Sequence, residues 1–459
     1  MKPHSAAELT TPLLQESAKR ATAYLKSVNK RAVAPTLDAL ARLDQLDFAL
    51  PTTPTDPTEV LATLDQIGSP ATIASAGGRY YGFVTGGSLP AALAANWLAG
   101  AWDQNGAFSA MSPVAARIDS VALKWMLEVL GLPAMAGGGF VTGATMANFA
   151  GLAAARHFLL ARVGWDVEAE GLFGAPPIRV IVGDEAHVSL LKALGLLGLG
   201  RNRVTRVPVD DQGRMMAGQI PPLDEMTIVC TQAGNVNSGA IDPHDAICSS
   251  ARANGAWVHV DGAFGLWANA SPLYQELATG VELADSWATD THKWLNVPYD
   301  GGFVGCRYPE ALQQAMSVNA AYLAVDGSRE PCHYTPELSR RARAIDVWAA
   351  LYSLGSEGLA EMIERTCAHA RRFGDGLRAA GKEVLNDVVL NQVLVSFGTD
   401  TVTEKVVQAL QDDGVCWCGQ TVWQGRAAMR ISVSSWATTE ADVEASLAAM
   451  IRIADKVVA

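Results

Sequence analysis

The stretch WVHVDGAFGLWANAS at residues 257–271, followed after a spacer by DSWATDTHKWLNVPYDGGFVGCR at residues 285–307, decides how this chain is read. Asp261 closes the apolar run VHVD, which has the length and composition of a buried strand. Lys293 follows His292 at the end of a second such run, 32 residues after Asp261. A buried carboxylate and a buried lysine at two strand ends are what pyridoxal phosphate requires. The carboxylate pairs with its protonated ring nitrogen, and the amine bonds to its aldehyde. The spacing therefore points to a pyridoxal-phosphate enzyme.

Working outward, residues 75 to 320 alternate glycine-bounded helical stretches with the short apolar runs GGFVTG, RVIVGD, RVTRVPVD, MTIVCTQ, AWVHVD, SWATD and GGFVGC. That alternation predicts an α/β fold with a mostly parallel sheet wrapped by helices. The first fifty residues show helical periodicity in Leu13, Leu14, Ala21, Leu25, Leu37, Leu40 and Leu43, and PTTPTDPTEV then breaks helix with three prolines. The tail returns to helices with strands at VVLNQVLVSF and AMRISVSS, as a small α+β domain would. The expected division is an N-terminal helical segment (1–75), a large cofactor-binding domain (76–340) and a small C-terminal domain (341–459).

A chain of 459 residues suits this large-plus-small organisation. The net charge of −12 argues against a nucleic-acid or anionic-membrane surface. Glycines and charges interrupt every apolar run before it reaches membrane-spanning length. The start lacks a basic region followed by an apolar core, so no secretory signal is expected. Seven scattered cysteines read as reduced thiols of a cytoplasmic protein. Eight scattered histidines give no metal-ligand spacing, and no metal is expected.

A phosphate needs backbone N–H groups at a helix N-terminus. GGGFVTGATMANFAG supplies glycines 137–139 and 143 before an alanine-rich helix, with Ala144 and Thr145 where that helix should begin. The same pattern also serves as a plain strand–helix turn, and it gains weight from Asp261 and Lys293. In GDEAHVSLLKALGLLG, His187 opens a helix, where it could stack on a cofactor ring or simply cap the helix. Lys192, a turn beyond, reads as a surface charge. Of the ten lysines, only Lys293 is flanked by strand-like sequence, a histidine and an aromatic residue. His259 shares a strand face with Asp261 and is expected to support that carboxylate.

Taken together, GATMAN, HVSLLKA, VHVDGAFG, ADSWATDTHKW, LSRRARAIDVW and SPVAARID with KWMLEVLGLP resemble the group II pyridoxal-phosphate decarboxylases, the family of aromatic amino-acid, histidine and glutamate decarboxylases. The resemblance covers roughly residues 75 to 355. It implies the aspartate-aminotransferase fold (fold type I) and a homodimer with sites at the subunit interface, its N-terminal segment embracing the partner. By motif position, Ala144 and Thr145 would contact the phosphate, His187 would stack on the ring, and Asp261 would pair with the ring nitrogen. Ala263 would line the other ring face, Asp290 and His292 would lie near phosphate and substrate, and Lys293 would carry the cofactor. Asn235 stands where relatives often have a threonine near the cofactor's phenolic oxygen. Two further departures are Met146, where relatives often have an acidic residue, and GGRYYGFVTGGS, which lacks their HP pair.

The resemblance also implies a tyrosine proton donor on a loop that crosses the dimer, and NAAYLAVDGSREPCHYTPELSRR is the corresponding stretch. Tyr334 lies nearest the expected place, and Tyr322 reads as a packing residue. Tyr80, Tyr81, Phe83 and Trp102 belong to core or to substrate pocket, with core the plainer reading. Arg430 reads as structural; Trp417 and Trp423 could cover the site or pack. The expected reaction is decarboxylation of an L-amino acid, aromatic or otherwise bulky, to its amine. Aldol-type cleavage, transamination or aldehyde-forming oxidative decarboxylation are the alternatives in the same site. A non-catalytic binding homologue is disfavoured because Lys293 and Asp261 are both present.

Overall fold

The computed structural model describes residues 6–317 and 329–458. Seven strands, β1 (Gly137–Val141), β2 (Arg179–Gly183), β3 (Thr205–Val207), β4 (Thr227–Gln232), β5 (Trp257–Asp261), β6 (Ser286–Asp290) and β7 (Gly302–Cys306), form one sheet in the order β1-β7-β6-β5-β4-β2-β3. Each overlaps an apolar run read from the sequence. They are legible because strands covered on both faces are apolar almost throughout. β7 runs antiparallel to β1 and β6, and the other neighbours are parallel. The architecture is the α/β fold with a mostly parallel sheet that the sequence pattern predicts.

One face of the sheet is packed by Leu123, Met126, Phe140, Trp267, Trp287 and Leu359. On the other, the Ala144–Arg162 helix lays Ala147, Ala150, Ala153 and Ala154 against Val182, Trp257 and Val304. Small side chains let that helix approach the strands closely, which matters because its first turns carry site residues.

A second, four-stranded antiparallel sheet comprises β8 (Glu383–Val384), β9 (Gln392–Ser396), β10 (Gly419–Trp423) and β11 (Arg426–Ser432), in the order β10-β11-β9-β8. Helices Ala344–Ala379, Asp400–Asp413 and Glu440–Val458 pack on it around Phe373, Val395, Leu410, Ile431 and Met450. The Ala344–Ala379 helix is broken at Gly355, whose backbone (φ 59, ψ −177) is not helical. Of the three prolines after residue 50, Pro57 starts a helix, Pro57–Thr63, with Asp56 as its cap. Proline is tolerated there because the first-turn N–H has no intrahelical partner.

Residues 78–89 run as a strap between the two sheets. Tyr81 N–H donates to Trp417 O (2.8 Å), Trp417 N–H to Arg79 O (3.1 Å) and Ser432 N–H to Tyr81 O (3.0 Å). Farther along, Leu89 N–H donates to Asn296 O (2.7 Å). Asn296 is itself tied to the small unit, donating from Nδ2 to Ser434 O (3.0 Å) and accepting from Trp436 N–H (2.9 Å). Gly86 allows the close approach: a Cβ there would fall 1.7 Å from Lys293 O. Among the described residues, no helix is long and apolar enough to cross a membrane, and no cluster of His, Cys, Asp and Glu could hold a metal ion.

Candidate active site

Parallel strands β5 and β6 end side by side, with Asp261 opposite Ala288 in register. Their carboxyl ends therefore put Asp261, Asp290 and the segment to Lys293 on one edge of the sheet, where open α/β sheets bind ligands. β1 delivers the chain to the same edge, and the Ala144–Arg162 helix starts there. Three distant sequence motifs converge for this topological reason.

Asp290 is the hub. Its Oδ2 lies 2.7 Å from Lys293 Nζ, its Oδ1 accepts the Ala144 N–H at 2.5 Å, and His292 Nε2 stands 3.5 Å from Oδ1. An anion at a helix N-terminus is favoured by the helix dipole and the free N–H groups. Gly143 makes room, since a Cβ on it would come 3.0 Å from Asp290 Oδ1 and 3.1 Å from His292 Cε1. The Ala144 N–H is thus already committed, which leaves Thr145 and the rest of that turn for a phosphate. His292 accepts the Gly301 N–H at Nδ1 (3.2 Å) and meets Tyr299 at a tilt, ring centroids 4.4 Å apart and planes 33° apart. Burial holds its pKa down, opposed by Asp290.

His187 is the N-cap of the Val188–Leu196 helix: Nδ1 accepts the Ser189 N–H at 3.3 Å and lies 2.7 Å from Ser189 Oγ. Capping and a place in the site are not exclusive here. Burial lowers its pKa, with Asp261 opposing and Lys293 and Arg430 adding to the drop. With Nδ1 accepting the Ser189 N–H, Nε2 carries the proton.

Asp261 is 4% exposed. Its Oδ2 accepts from Asn148 Nδ2 at 3.1 Å, while its Oδ1 is buried with no hydrogen-bond partner. Burial raises its pKa, opposed by His187, Lys293 and the Asn148 amide. A buried carboxylate oxygen without a donor is costly. The protonated nitrogen of a pyridine ring lying between Asp261 and Lys293 supplies such a donor, so these residues fit pyridoxal phosphate. Ala263, two residues on and partly exposed, borders the same space; its carbonyl accepts the Asp290 N–H at 2.9 Å. Asn235 is buried, its Oδ1 accepting from Asn237 N–H (2.9 Å) and Ser238 N–H (3.3 Å), with Nδ2 left unpartnered.

His259 does not touch Asp261. It reaches that carboxylate through Asn148, whose Oδ1 lies 2.8 Å from His259 Nε2. The sequence reading quoted Asn148 without giving it a role. Its signal was a polar amide one turn into an alanine-rich helix, a poor position for asparagine unless a partner waits.

Arg430 is half-buried beside His187, and among the described residues its one side-chain hydrogen bond runs to Asn237 Oδ1 at 3.5 Å. Tyr80 stacks on Trp417 (centroids 5.1 Å), and Phe83 meets the other part of that indole (5.4 Å). Burial and the neighbouring Tyr299 and Cys418 push the Tyr80 phenol up to about 12. Tyr81 instead enters the small unit's core against Phe373. Trp423 packs with Leu394 and Ala428, and Trp102 is exposed. Tyr334 lies under the Arg329 guanidinium, 4.7 Å from its ring centroid, and packs on the face that holds Leu312 and Met316. Among the described residues it makes no hydrogen bond to Lys293. Tyr322 lies outside the described residues.

A family profile described as "Pyridoxal-dependent decarboxylase conserved domain" matches residues 42–399. The aromatic-L-amino-acid decarboxylase of Bacillus atrophaeus is 25% identical over 441 residues, covering 91% of this chain and 90% of that protein. Tryptophan decarboxylase 1 of Oryza sativa subsp. japonica is 28% identical over 461 residues, covering 90% and 87%. Among solved structures, Oryza sativa TDC with PLP and tryptamine superposes with a TM-score of 0.90 at 23% identity, over 99% of each chain. That likeness is one of fold, the fold type I architecture of pyridoxal-phosphate enzymes.

Proposed function

This chain belongs to the pyridoxal-dependent decarboxylase family, and from that premise we propose that its substrate is an L-amino acid with an aromatic or otherwise bulky side chain. The cofactor is pyridoxal phosphate, and the reaction is loss of CO2 from an amino acid to leave the amine. When bound, the cofactor supplies the electron sink for the pair left at Cα.

The chain's own groups divide the remaining work. Asp261 holds the proton of the ring nitrogen through its free Oδ1. Lys293 carries the cofactor, and Asp290 positions the Lys293 amine while tying it to the helix start at Ala144. His187 would lie against the ring, with its Nε2–H available to the substrate carboxylate. Thr145 and its turn would hold the phosphate, His292 would lie near it, and Ala263 would line the ring. Asn235 takes the place of a donor near the phenolic oxygen through its unpartnered Nδ2. Tyr334 serves as proton donor only if it reaches the site of the other subunit.

The observation that carries the aromatic reading is the wall that Tyr80 and Phe83 of the strap form with Trp417 of the small unit, on the strap whose Gly86 closely approaches Lys293 O. The names of the two relatives above, an aromatic-L-amino-acid and a tryptophan decarboxylase, support it. An acidic substrate is the second reading, favoured by the single long side-chain hydrogen bond of the half-buried Arg430. We also assign a homodimer with its sites at the subunit interface, supported by the exposed Leu14, Leu25, Phe48 and Trp97. The cytoplasmic assignment rests on seven free cysteines.

The test is CO2 release and amine formation by the cofactor-loaded protein across the amino acids, with Lys293→Ala and Tyr334→Phe alongside. Turnover of tryptophan, tyrosine or phenylalanine, abolished by Lys293→Ala, supports the aromatic reading. Turnover confined to glutamate or aspartate moves the assignment to Arg430. Amine formation that survives Tyr334→Phe removes that residue as donor.

A further inference from the structure

Four hydrogen bonds run in line behind Asp261. Trp257 Nε1 lies 2.9 Å from Ser286 Oγ, which lies 2.8 Å from His259 Nδ1. His259 Nε2 lies 2.8 Å from Asn148 Oδ1, and Asn148 Nδ2 lies 3.1 Å from Asp261 Oδ2. All five side chains are buried; Asn148, His259 and Ser286 have no exposed surface at all.

The direction of every bond is fixed by the two ends. An indole N–H can only donate, and a carboxylate can only accept. Asn148 must therefore turn its NH2 to Asp261, which leaves its oxygen to accept. His259 then donates from Nε2, accepts at Nδ1, and takes the Ser286 hydroxyl proton, while Ser286 accepts from Trp257. Rotating the Asn148 amide would set its oxygen against the carboxylate. Burial holds the imidazole neutral, its pKa pushed down to about 3, so one ring nitrogen alone carries a proton, as this order demands. The protein also clears space for that ring. Gly151 sits on the same helix as Asn148, and a Cβ there would lie 2.9 Å from His259 Cε1 and 3.0 Å from Nδ1. Glycine inside a helix is less favourable than alanine, and accommodating His259 accounts for its presence.

We infer that this neutral relay, Trp257–Ser286–His259–Asn148, is a positioning device that orients Asp261 so that its Oδ1 alone faces the ring nitrogen and keeps that nitrogen protonated. The device rests on the assignment of Asp261 to the ring nitrogen. Asn148 occupies one oxygen with a neutral donor and fixes the carboxylate plane. A cation in its place would compete with the pyridinium for the same charge. Asn148 and His259 are positioning residues, because neither reaches the ring.

The experiment uses holoenzyme loaded with pyridoxal phosphate carrying 15N in the ring, read by NMR, together with the cofactor dissociation constant. The variants are Asp261→Asn, Asn148→Leu, His259→Leu and His259→Gln. Glutamine offers one acceptor and one donor in the order the relay needs. The native protein and His259→Gln should show the protonated-nitrogen signal. Asn148→Leu should move it toward the neutral-pyridine position and weaken cofactor binding about tenfold, the loss of one hydrogen bond to a charged group, and His259→Leu, which frees the Asn148 amide to turn, should shift the signal the same way. If leucine at either position prevents folding, Ser286→Ala takes its place and should shift the signal in the same direction. A signal unmoved by Asp261→Asn overturns the assignment of Asp261 itself. A signal moved by Asp261→Asn but identical in His259→Leu, His259→Gln and the native protein, or unmoved in Ser286→Ala, overturns the relay alone.

Discussion

The Asp290 carboxylate bridges the Lys293 amine, 2.7 Å from Oδ2, and the first N–H of the Ala144–Arg162 helix, 2.5 Å from Oδ1. One side chain thereby couples the position of the reactive amine to the helix turn proposed to hold the phosphate. Asp290→Ala should weaken cofactor binding by about tenfold or more, since it removes two hydrogen bonds to a charged group. Asp290→Asn keeps one acceptor and should fall between. Absorbance titration of the apoprotein with pyridoxal phosphate reads both.

Replacing Asp261 removes the anion opposite the ring nitrogen. Asp261→Asn should lower kcat by roughly 10²–10³, the usual cost of deleting one preorganised electrostatic contact, while the protein still captures cofactor at Lys293. Steady-state amine formation and the bound-cofactor spectrum together separate these effects.

Gly151→Ala pushes a methyl into the His259 ring. Overpacking of this kind costs about 1–3 kcal/mol, so the holoenzyme should melt at a lower temperature. Combining it with His259→Ala should recover part of the loss, because the ring it strikes is gone.

His259 also makes a pH prediction. In the unfolded chain a histidine takes a proton near 6.5, whereas buried His259 refuses it until about 3. The unfolded state therefore binds the extra proton between those values, and native stability falls as pH drops through that window at about 1.4 kcal/mol per pH unit. Between pH 7 and pH 5 the melting temperature of the native protein should fall more than that of His259→Gln.

Trp417→Ala removes the indole that Tyr80 and Phe83 face. On the aromatic reading, KM for the preferred substrate should rise about tenfold, the scale of a lost aromatic pair together with some buried area, with a smaller change in kcat.

Much of the large sheet was legible because its strands are apolar on both faces, and its motif residues fall at strand ends by topology. Asp261, Lys293, Asp290 and His187 could be picked out for that reason. The small sheet was harder. β10 alternates buried and exposed positions, and β8 has two residues, so neither leaves an apolar run. Asn148 was hidden because the order of a hydrogen-bond chain through four elements has no linear signature. The commitment of the Ala144 N–H to Asp290 was hidden too, since it joins residues 146 positions apart. The fate of Tyr334 depended on Arg329, five residues away, whose guanidinium covers its ring.

The strap at residues 78–89 bears on how the molecule is assembled in time. Tyr81 and Trp417, hydrogen-bonded neighbours, are separated by 336 residues of chain. During synthesis the Tyr81 segment emerges long before Trp417 and Ser432, and its pairing waits until more than 330 further residues exist. Contacts of such long range make folding slow. A fragment beginning at residue 341 should leave the backbone of Trp417 and Ser432 without the partners supplied by Arg79 and Tyr81. The C-terminal unit is thus continuous in sequence but incomplete as a folding unit, and the last part of the chain to be made needs one of the first.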